Sequence, residues 1–255
     1  MSLRTGFPEQ PARVYFFGTC LIDLLYPEAG LAGIQLIRRE GVEVIFPQNQ
    51  TCCGQPAWNS GYRDEARAVA SAQMACFPRD YPIVVPSGSC AGMLRHHYPE
   101  LFQGTPQHEA SLAFSDRIFE LTEFLVQVLK ISLSDVGKPV KVALHVSCSA
   151  RREMGVAGDH QALLRQLKNV ELVEPRRREE CCGFGGTFAV KHPEISAAMV
   201  EEKATELVAT GADTLVSGDC GCLMNITGHL GYRKETLQGS HIASFLWERT
   251  NAAES

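Results

Sequence analysis

The sequence predicts an α/β protein of two pseudo-repeated, Rossmann-like units, each with a short parallel sheet and with cysteine-bearing loops at the C-terminal edges of its strands. Three observations predict it. Short β-branched and aromatic runs alternate with stretches of helical apolar spacing, the pattern of βαβ units. Cysteines fall on the turns that end those runs. The cysteines also recur: Cys52-Cys53-Gly54 returns as Cys181-Cys182-Gly183, with Cys20 and Cys148 before the pairs and Cys90 and Cys220 after them. Offsets of 128, 129 and 130 residues between corresponding cysteines point to an internal duplication. Cys222 follows close behind Cys220, and of the ten cysteines only Cys76 lies outside the arrangement.

Taken in order, Arg13 to Phe17 is a buried strand that runs into Gly18-Thr19-Cys20. A helix opening near Pro27 carries Leu31, Ile34, Leu36 and Ile37 and ends at Gly41. Val42 to Phe46 is the second strand, followed by the Cys52-Cys53 loop and a helix from about Asp64 to Phe77 with Ala66, Val69, Ala70 and Met74 on one face. Ile83-Val84-Val85 is the third strand and ends in Pro86-Ser87-Gly88-Ser89-Cys90. With right-handed crossovers, successive parallel strands lie side by side and all three loops share one sheet edge. That explains how sulfurs so distant in sequence can converge.

The middle reads as helical, with Ser115 or Asp116 capping a helix whose face is Ile118, Leu121, Phe124, Leu125 and Val128. The second unit then repeats the first. Val140 to Val146 is a strand ending at Ser147-Cys148, and a helix follows around Asp159 to Leu167. After the strand Val170 to Val173 come the Cys181-Cys182 loop and a long helix from about Pro193 to Ala209. Thr214 to Val216 leads into Ser217-Gly218-Asp219-Cys220-Gly221-Cys222, and a helix from His241 to Arg249 closes the pattern. The expected organisation is a first unit over residues 12–105, a helical connector over 106–139, a second unit over 140–235 and a C-terminal helix over 236–255.

The chain of 255 residues has ample length for a core, and 45% apolar with 21% charged residues is ordinary for a soluble globular protein. A net charge of −5 argues against nucleic acid as a partner. No apolar run is long enough for a spanning helix, and the first residues lack the apolar region of a secretory signal. Ten cysteines in such a chain point to metal or redox chemistry in a cytoplasmic protein rather than to a disulfide framework.

Zinc and iron both take thiolates. Structural zinc is normally held by Cys-x-x-Cys knuckles, and this sequence has none. Adjacent cysteines diverge and suit two metal atoms of a cluster, and four cysteines per unit is the usual complement of an iron–sulfur cluster. The ligand logic therefore favours iron–sulfur in at least one unit, with zinc or no metal as the alternatives. Gly54 and Gly183 to Gly186 allow close backbone approach and N–H bonds to sulfur.

This pattern resembles the duplicated cysteine-rich "CCG" domain of heterodisulfide reductase B subunits, glycolate oxidase iron–sulfur subunits and lactate utilization proteins. The resemblance rests on Phe17-Gly18-Thr19-Cys20, Cys52-Cys53-Gly54-Gln55-Pro56, Pro86-Ser87-Gly88-Ser89-Cys90, His145-Val146-Ser147-Cys148, Cys181 to Phe188 and Gly221-Cys222-Leu223-Met224-Asn225. It implies one or two iron–sulfur clusters per chain, of [4Fe-4S] type. The implied ligands are Cys20, Cys52, Cys53 and Cys90 in one unit, and Cys148, Cys181, Cys182 and either Cys220 or Cys222 in the other. Cys220 fits the repeat offset, whereas Cys222 fits the Gly-Cys-Leu-Met context of the related subunits. The family pattern ends in Cys-x-x-Cys, replaced here by Cys90-Ala91-Gly92-Met93 and Cys220-Gly221-Cys222-Leu223. That departure points away from a five-thiolate cluster and leaves a four-iron cluster.

The implied function is an electron-transfer subunit of a multi-subunit oxidoreductase oxidising L-lactate or a similar 2-hydroxy acid. It agrees with the lack of a G-x-G-x-x-G nucleotide fingerprint after any strand. The implied partners are a ferredoxin-like iron–sulfur protein and a third small subunit, with any peripheral membrane association coming through them. The competing readings are a thiol–disulfide reductase with a cluster active site and a non-redox, zinc-bound scaffold. Among other residues, Cys76 reads as a core thiol, and His145 as either a ligand or proton-transfer group or a satisfied histidine. Arg151 and Arg152 read as an exposed helix start or a carboxylate clamp. Arg176-Arg177-Arg178 reads as a solvated or partner-docking loop and His96-His97 as surface.

Overall fold

A computed structural model describes residues 4 and 6–251, so the outer ends of the leader and of the 236–255 segment lie outside the described residues. Eight strands form two four-stranded, all-parallel sheets. The first contains β1 (Arg13–Phe16), β2 (Glu43–Ile45), β3 (Ile83–Val85) and β4 (Ile118–Glu120). The second contains β5 (Val140–His145), β6 (Val170–Val173), β7 (Thr214–Ser217) and β8 (Gln238–His241). Central strands such as β3, with Ile83, Val84 and Val85 all buried, carry the uninterrupted apolar runs of a sheet covered on both faces.

The strand orders are β2-β1-β3-β4 and β6-β5-β7-β8, so successive strands are not simply side by side as the sequence reading had them. The chain winds outward from β1 to β2, then crosses back and winds the other way. The loops after β1 and β3 therefore part at a switch point and open a crevice, the usual binding place in an open α/β sheet. The cysteine loops after β1 and β3, and after β5 and β7, sit at these crevices.

Two further corrections concern the fourth strands. Ile118-Phe119-Glu120, expected as the first turn of a connector helix, is β4 and pairs with β3. Buried strands and buried helix segments share the same apolar run, and here the capping chemistry decides. Glu120 accepts from the backbone N–H groups of Thr122 and Glu123 while Glu123 reaches back to the Glu120 N–H, a capping box that starts the helix at Leu121. The preceding helix, His108–Asp116, ends where the expected one was to begin. Likewise Gln238–His241, placed with the C-terminal helix, is β8, and His241 caps the helix Ile242–Thr250.

One apolar cluster spans both units, and a second, around Val200, Leu207, Leu215 and Leu223, lies within the second unit. The shared cluster contains Phe16, Leu36, Leu121 and Phe124 from the first unit and Leu144, Leu163, Phe245 and Leu246 from the second. Each unit's last helix packs on a helix of the other: Ile242–Thr250 lies against Pro27–Arg39, and the helical turns after β4 lie against Ala157–Arg165. This reciprocal packing turns the two crevices toward each other.

Candidate metal centre

Each single cysteine opens a helix. Cys20 and Cys148 are the first residues of Cys20–Leu25 and Cys148–Arg152, where Thr19 and Ser147 accept from the N–H groups of Ile22 and Ala150. Cys90 is third in the helix Gly88–Gly92, capped by Ser87. Each Cys pair lies on a loop closed by glycine. The Gly54 N–H points at Cys52 Sγ and the Gly183 N–H at Cys181 Sγ, both at 3.4 Å. Gly183 has φ +80°, and a Cβ there would meet Ser196 O at 2.7 Å, so only glycine fits. The second cysteine of each pair is held through its carbonyl, by Tyr98 Oη at 3.1 Å on Cys53 and by Asn225 Nδ2 at 2.7 Å on Cys182.

The thiols meet in the same order in both units. Cys20 contacts Cys52, Cys52 contacts Cys53 and Cys53 contacts Cys90. Cys148 contacts Cys181, Cys181 contacts Cys182 and Cys182 contacts Cys222. Such crowding sets the protonation. Cys52, bonded by Cys20 and Cys53 and by the Gly54 N–H, falls to about 3, while its contacts and burial push Cys20 and Cys53 up. In the second unit the contact with Cys181 and burial push Cys148 up. The bond with Cys148 pulls Cys181 down, but the contact with Cys182 and burial outweigh it. Four sulfurs this close cannot all ionise without a cation among them. Soft thiolates, backbone N–H groups aimed at sulfur and a glycine cradle fit an iron–sulfur cluster, and thiolates as such also fit zinc.

Sheet register separates Cys222 from Cys220. Phe16 pairs with Val84 and its counterpart Leu144 with Val216; Val85 pairs with Glu120 and Ser217 with His241. These pairs set the offset at β3 and β7 to 132, not 130, so Cys222 corresponds to Cys90 and both are third in their helices. The extra residues fall in the helix Pro193–Val208, which has 16 residues against 13 in Arg63–Ala75. Residues two apart on a helix point roughly 200° from each other. Cys222 faces Cys182, whereas Cys220 is buried at the joint between the units, where burial, Asp219 and Cys90 all push its thiol up.

Both thiol sets line one cavity of about 310 Å³. Beside it sits Asp219, 2% exposed, which the sequence reading missed. Its Oδ1 accepts from Ser87 Oγ at 2.6 Å, Ser89 Oγ at 2.7 Å and the Ser89 N–H at 3.1 Å, and its Oδ2 accepts from Ser147 Oγ. One carboxylate thus ties the loop after β3 to the loops after β5 and β7. The only signal in the sequence was its place beside Cys220.

His145 ends β5, 2% exposed, with a ring nitrogen, Cys182 Sγ and Cys222 Sγ all within 4.8 Å of one another. Burial, with Lys203 and Arg151 nearby, lowers its pKa to about 3, and neither ring nitrogen has a hydrogen-bond partner. Lys203, wholly buried, donates to the carbonyls of Arg177 at 3.2 Å and Arg178 at 3.5 Å. Arg151 reaches Arg178 O and Glu179, and Arg152 is exposed. Arg177 pairs with Glu180, Glu202 and Glu206, and Arg178 with Glu174, so much of the basic run is neutralised within the chain. Cys76 is a buried thiol facing Ala72 O. His97, expected on the surface, is partly buried: it lies over Trp58 at 5.1 Å between ring centres and 3.7 Å from Glu153 of the other unit.

Two like α/β units, each presenting four thiols in one order to a common cavity, define a duplicated thiolate-site protein. The Cysteine-rich domain named CCG matches residues 14–95 and 142–227. The chain belongs to this CCG family, and within it to the lactate utilization protein A group. It is 45% identical over 240 residues to Lactate utilization protein A of Geobacillus sp. (strain WCH70), covering 93% of this chain and 100% of that one. To Lactate utilization protein A 2 of Bacillus cereus (strain Q1) it is 42% identical over 235 residues, covering 92% and 97%. Among solved structures, a hypothetical protein from Helicobacter pylori is similar in fold, with a TM-score of 0.65 at 10% identity. That match covers 99% of this chain and 52% of the other, so the chain spans about half its length. No helix among the described residues is long and apolar enough to cross a membrane.

Proposed function

We propose that this chain is an iron–sulfur, electron-transfer subunit of a lactate-oxidising complex, with a [4Fe-4S] centre on each thiol set. Cys20, Cys52, Cys53 and Cys90 would hold one centre and Cys148, Cys181, Cys182 and Cys222 the other. The observation that carries this reading is the repeated order of thiol contacts around a single cavity. Bound clusters supply one-electron redox chemistry. The chain's own part is to hold eight sulfurs, to offset their charge with backbone N–H groups, and to keep the two sets on one rigid joint. Lactate as the electron source rests on the relatives' names and on the family membership. The remaining subunits would supply the electron acceptor.

The test is anaerobic iron and sulfide quantitation with EPR on the whole chain and on Cys53→Ser and Cys182→Ser. It is paired with lactate-dependent dye reduction in the presence and absence of the proteins encoded beside it. Cluster iron and sulfide that fall by about half in each variant, with lactate-dependent reduction only in the assembled complex, support the reading. Stoichiometric zinc without sulfide, or full activity of the isolated chain without iron, overturns it. Cys222→Ser should lose the second centre and Cys220→Ser should keep it.

A further inference from the structure

We propose that His145 is a nitrogen ligand of the second-unit centre, so that the two centres are held by unlike donor sets: thiolates alone in the first, thiolates and an imidazole in the second. The inference rests on the reading above and adds a donor to it. Three observations carry it. A ring nitrogen of His145 lies within 4.8 Å of both Cys182 Sγ and Cys222 Sγ, and the two sulfurs lie within 4.8 Å of each other. Both ring nitrogens are buried without a hydrogen-bond partner. Buried, unpaired polar atoms are costly, so a fold retains them where something else satisfies them. The fold does pair its other fully buried imidazoles. His160 Nδ1 meets Thr122 Oγ1 and Val156 O, and His241 meets Pro86 O and the Ala243 N–H. His96, His97 and His108 each leave one buried ring nitrogen unpaired, but among the described residues His145 alone leaves both open, and it does so beside the thiols.

The repeat supplies the control. Three residues before the first cysteine of the other unit stands Phe17, fully buried and stacked on Phe77 at 5.8 Å. The βαβ unit therefore builds its core with an apolar ring at this place, and the histidine is a departure peculiar to the second unit. There is a second departure. Gln73 reaches from the helix after the first Cys pair back to Thr51, beside that pair. In the second unit Lys203 makes the equivalent reach, with an ammonium in place of an amide. A buried cation near a centre offsets its negative charge, which raises its reduction potential. The second centre should accordingly be the better electron acceptor of the two.

The experiment uses the full chain loaded with iron and sulfide under anaerobic conditions. Pulsed EPR is recorded on the signal that Cys182→Ser abolishes, and potentiometry follows both centres. The expected result is a strong nitrogen coupling on that signal, absent from the one that Cys53→Ser abolishes. It should be lost in His145→Phe, which copies the first unit, and in His145→Gln, which guards against misfolding of the first variant. In both variants the reducibility of the second centre at fixed poise should change at least tenfold, about 59 mV for a one-electron centre, while the first centre keeps its potential. Full iron with no imidazole coupling in the wild-type chain, or a coupling that survives both substitutions, overturns the inference alone. A chain that takes up no iron overturns the underlying reading and this inference with it.

Discussion

Removal of Asp219 should loosen the joint between the units. Four donors converge on its carboxylate, three from Ser87 and Ser89 of the first unit and one from Ser147 of the second. In Asp219→Ala, Ser87 Oγ and Ser89 Oγ can still bond each other at 3.1 Å, but the Ser89 N–H and the Ser147 hydroxyl are stranded. Two stranded donors at about 1–3 kcal/mol each, partly offset because a charge is no longer buried, give a loss on the order of 3 kcal/mol. Asp219→Asn keeps one acceptor for the first unit and turns an NH2 toward Ser147 Oγ, which can accept. It forfeits only the charge assistance, about 1–2 kcal/mol in total. The assay is urea unfolding of the metal-free chain under reductant, with Trp58 and Trp247 read one at a time in Trp247→Phe and Trp58→Phe backgrounds. The wild type should show coincident transitions, while Asp219→Ala should shift the midpoint and separate the two reporters. Coincident transitions within about 0.5 kcal/mol of wild type, inside the range of an ordinary surface substitution, would refute the reasoning.

Three other expectations follow from the same geometry. Burial raises Glu120 from 4.5 to about 8, so the stability tied to its protonated form is full below 4.5 and is lost as pH rises through about 8. Glu120→Gln should therefore gain a few kcal/mol over wild type at pH 9 and little at pH 5, and parallel stability curves would sink this. The ionic contact with Glu153 outweighs burial and raises His97 above 6.5; burial pushes Glu153 up, but His97 and the bond from Ser149 hold it below 4.5. The pair stabilises fully between those values, and loses its effect as pH rises through the raised His97 value or falls through the lowered Glu153 value. His97→Gln should cost about 1 kcal/mol near pH 5.5 and almost nothing at pH 9, by thermal unfolding in matched buffers. Gly183→Ala, strained at φ +80° and blocked by Ser196 O, should destabilise by well over 1 kcal/mol, whereas Gly158→Ala, with open space around it, should not.

Much of this was legible in the residues. Alternating apolar runs announced parallel α/β units, and the doubled Cys-Cys-Gly announced two thiol sites. What escaped was set by register. Ser87-Gly88-Ser89-Cys90 and Ser217-Gly218-Asp219-Cys220 look like the same loop, and by letters they align at an offset of 130. Strand pairing aligns Ser87 with Asp219 instead, as the helix-capping positions do. Strands of three or four residues carry too few side chains to declare their register in advance. The fourth strands were hidden for a related reason, since a three-residue buried run looks like part of the helix it precedes.

The shift in register also explains what Cys220 is for. It occupies the place of Gly88, where a Cβ would sit 2.5 Å from Ala150 in the facing helix Cys148–Arg152. At that contact the first unit must be glycine. The reciprocal contact, of the helix Cys220–Tyr232 with Cys20–Leu25, is looser and admits a thiol. The two halves therefore meet asymmetrically, with a tight glycine seam on one side of Asp219 and a buried sulfur on the other. A spare cysteine counted by spacing alone looks like a redundant ligand. Its place on the helix makes it part of the joint, turned away from Cys182, and leaves Cys222 to complete the second set.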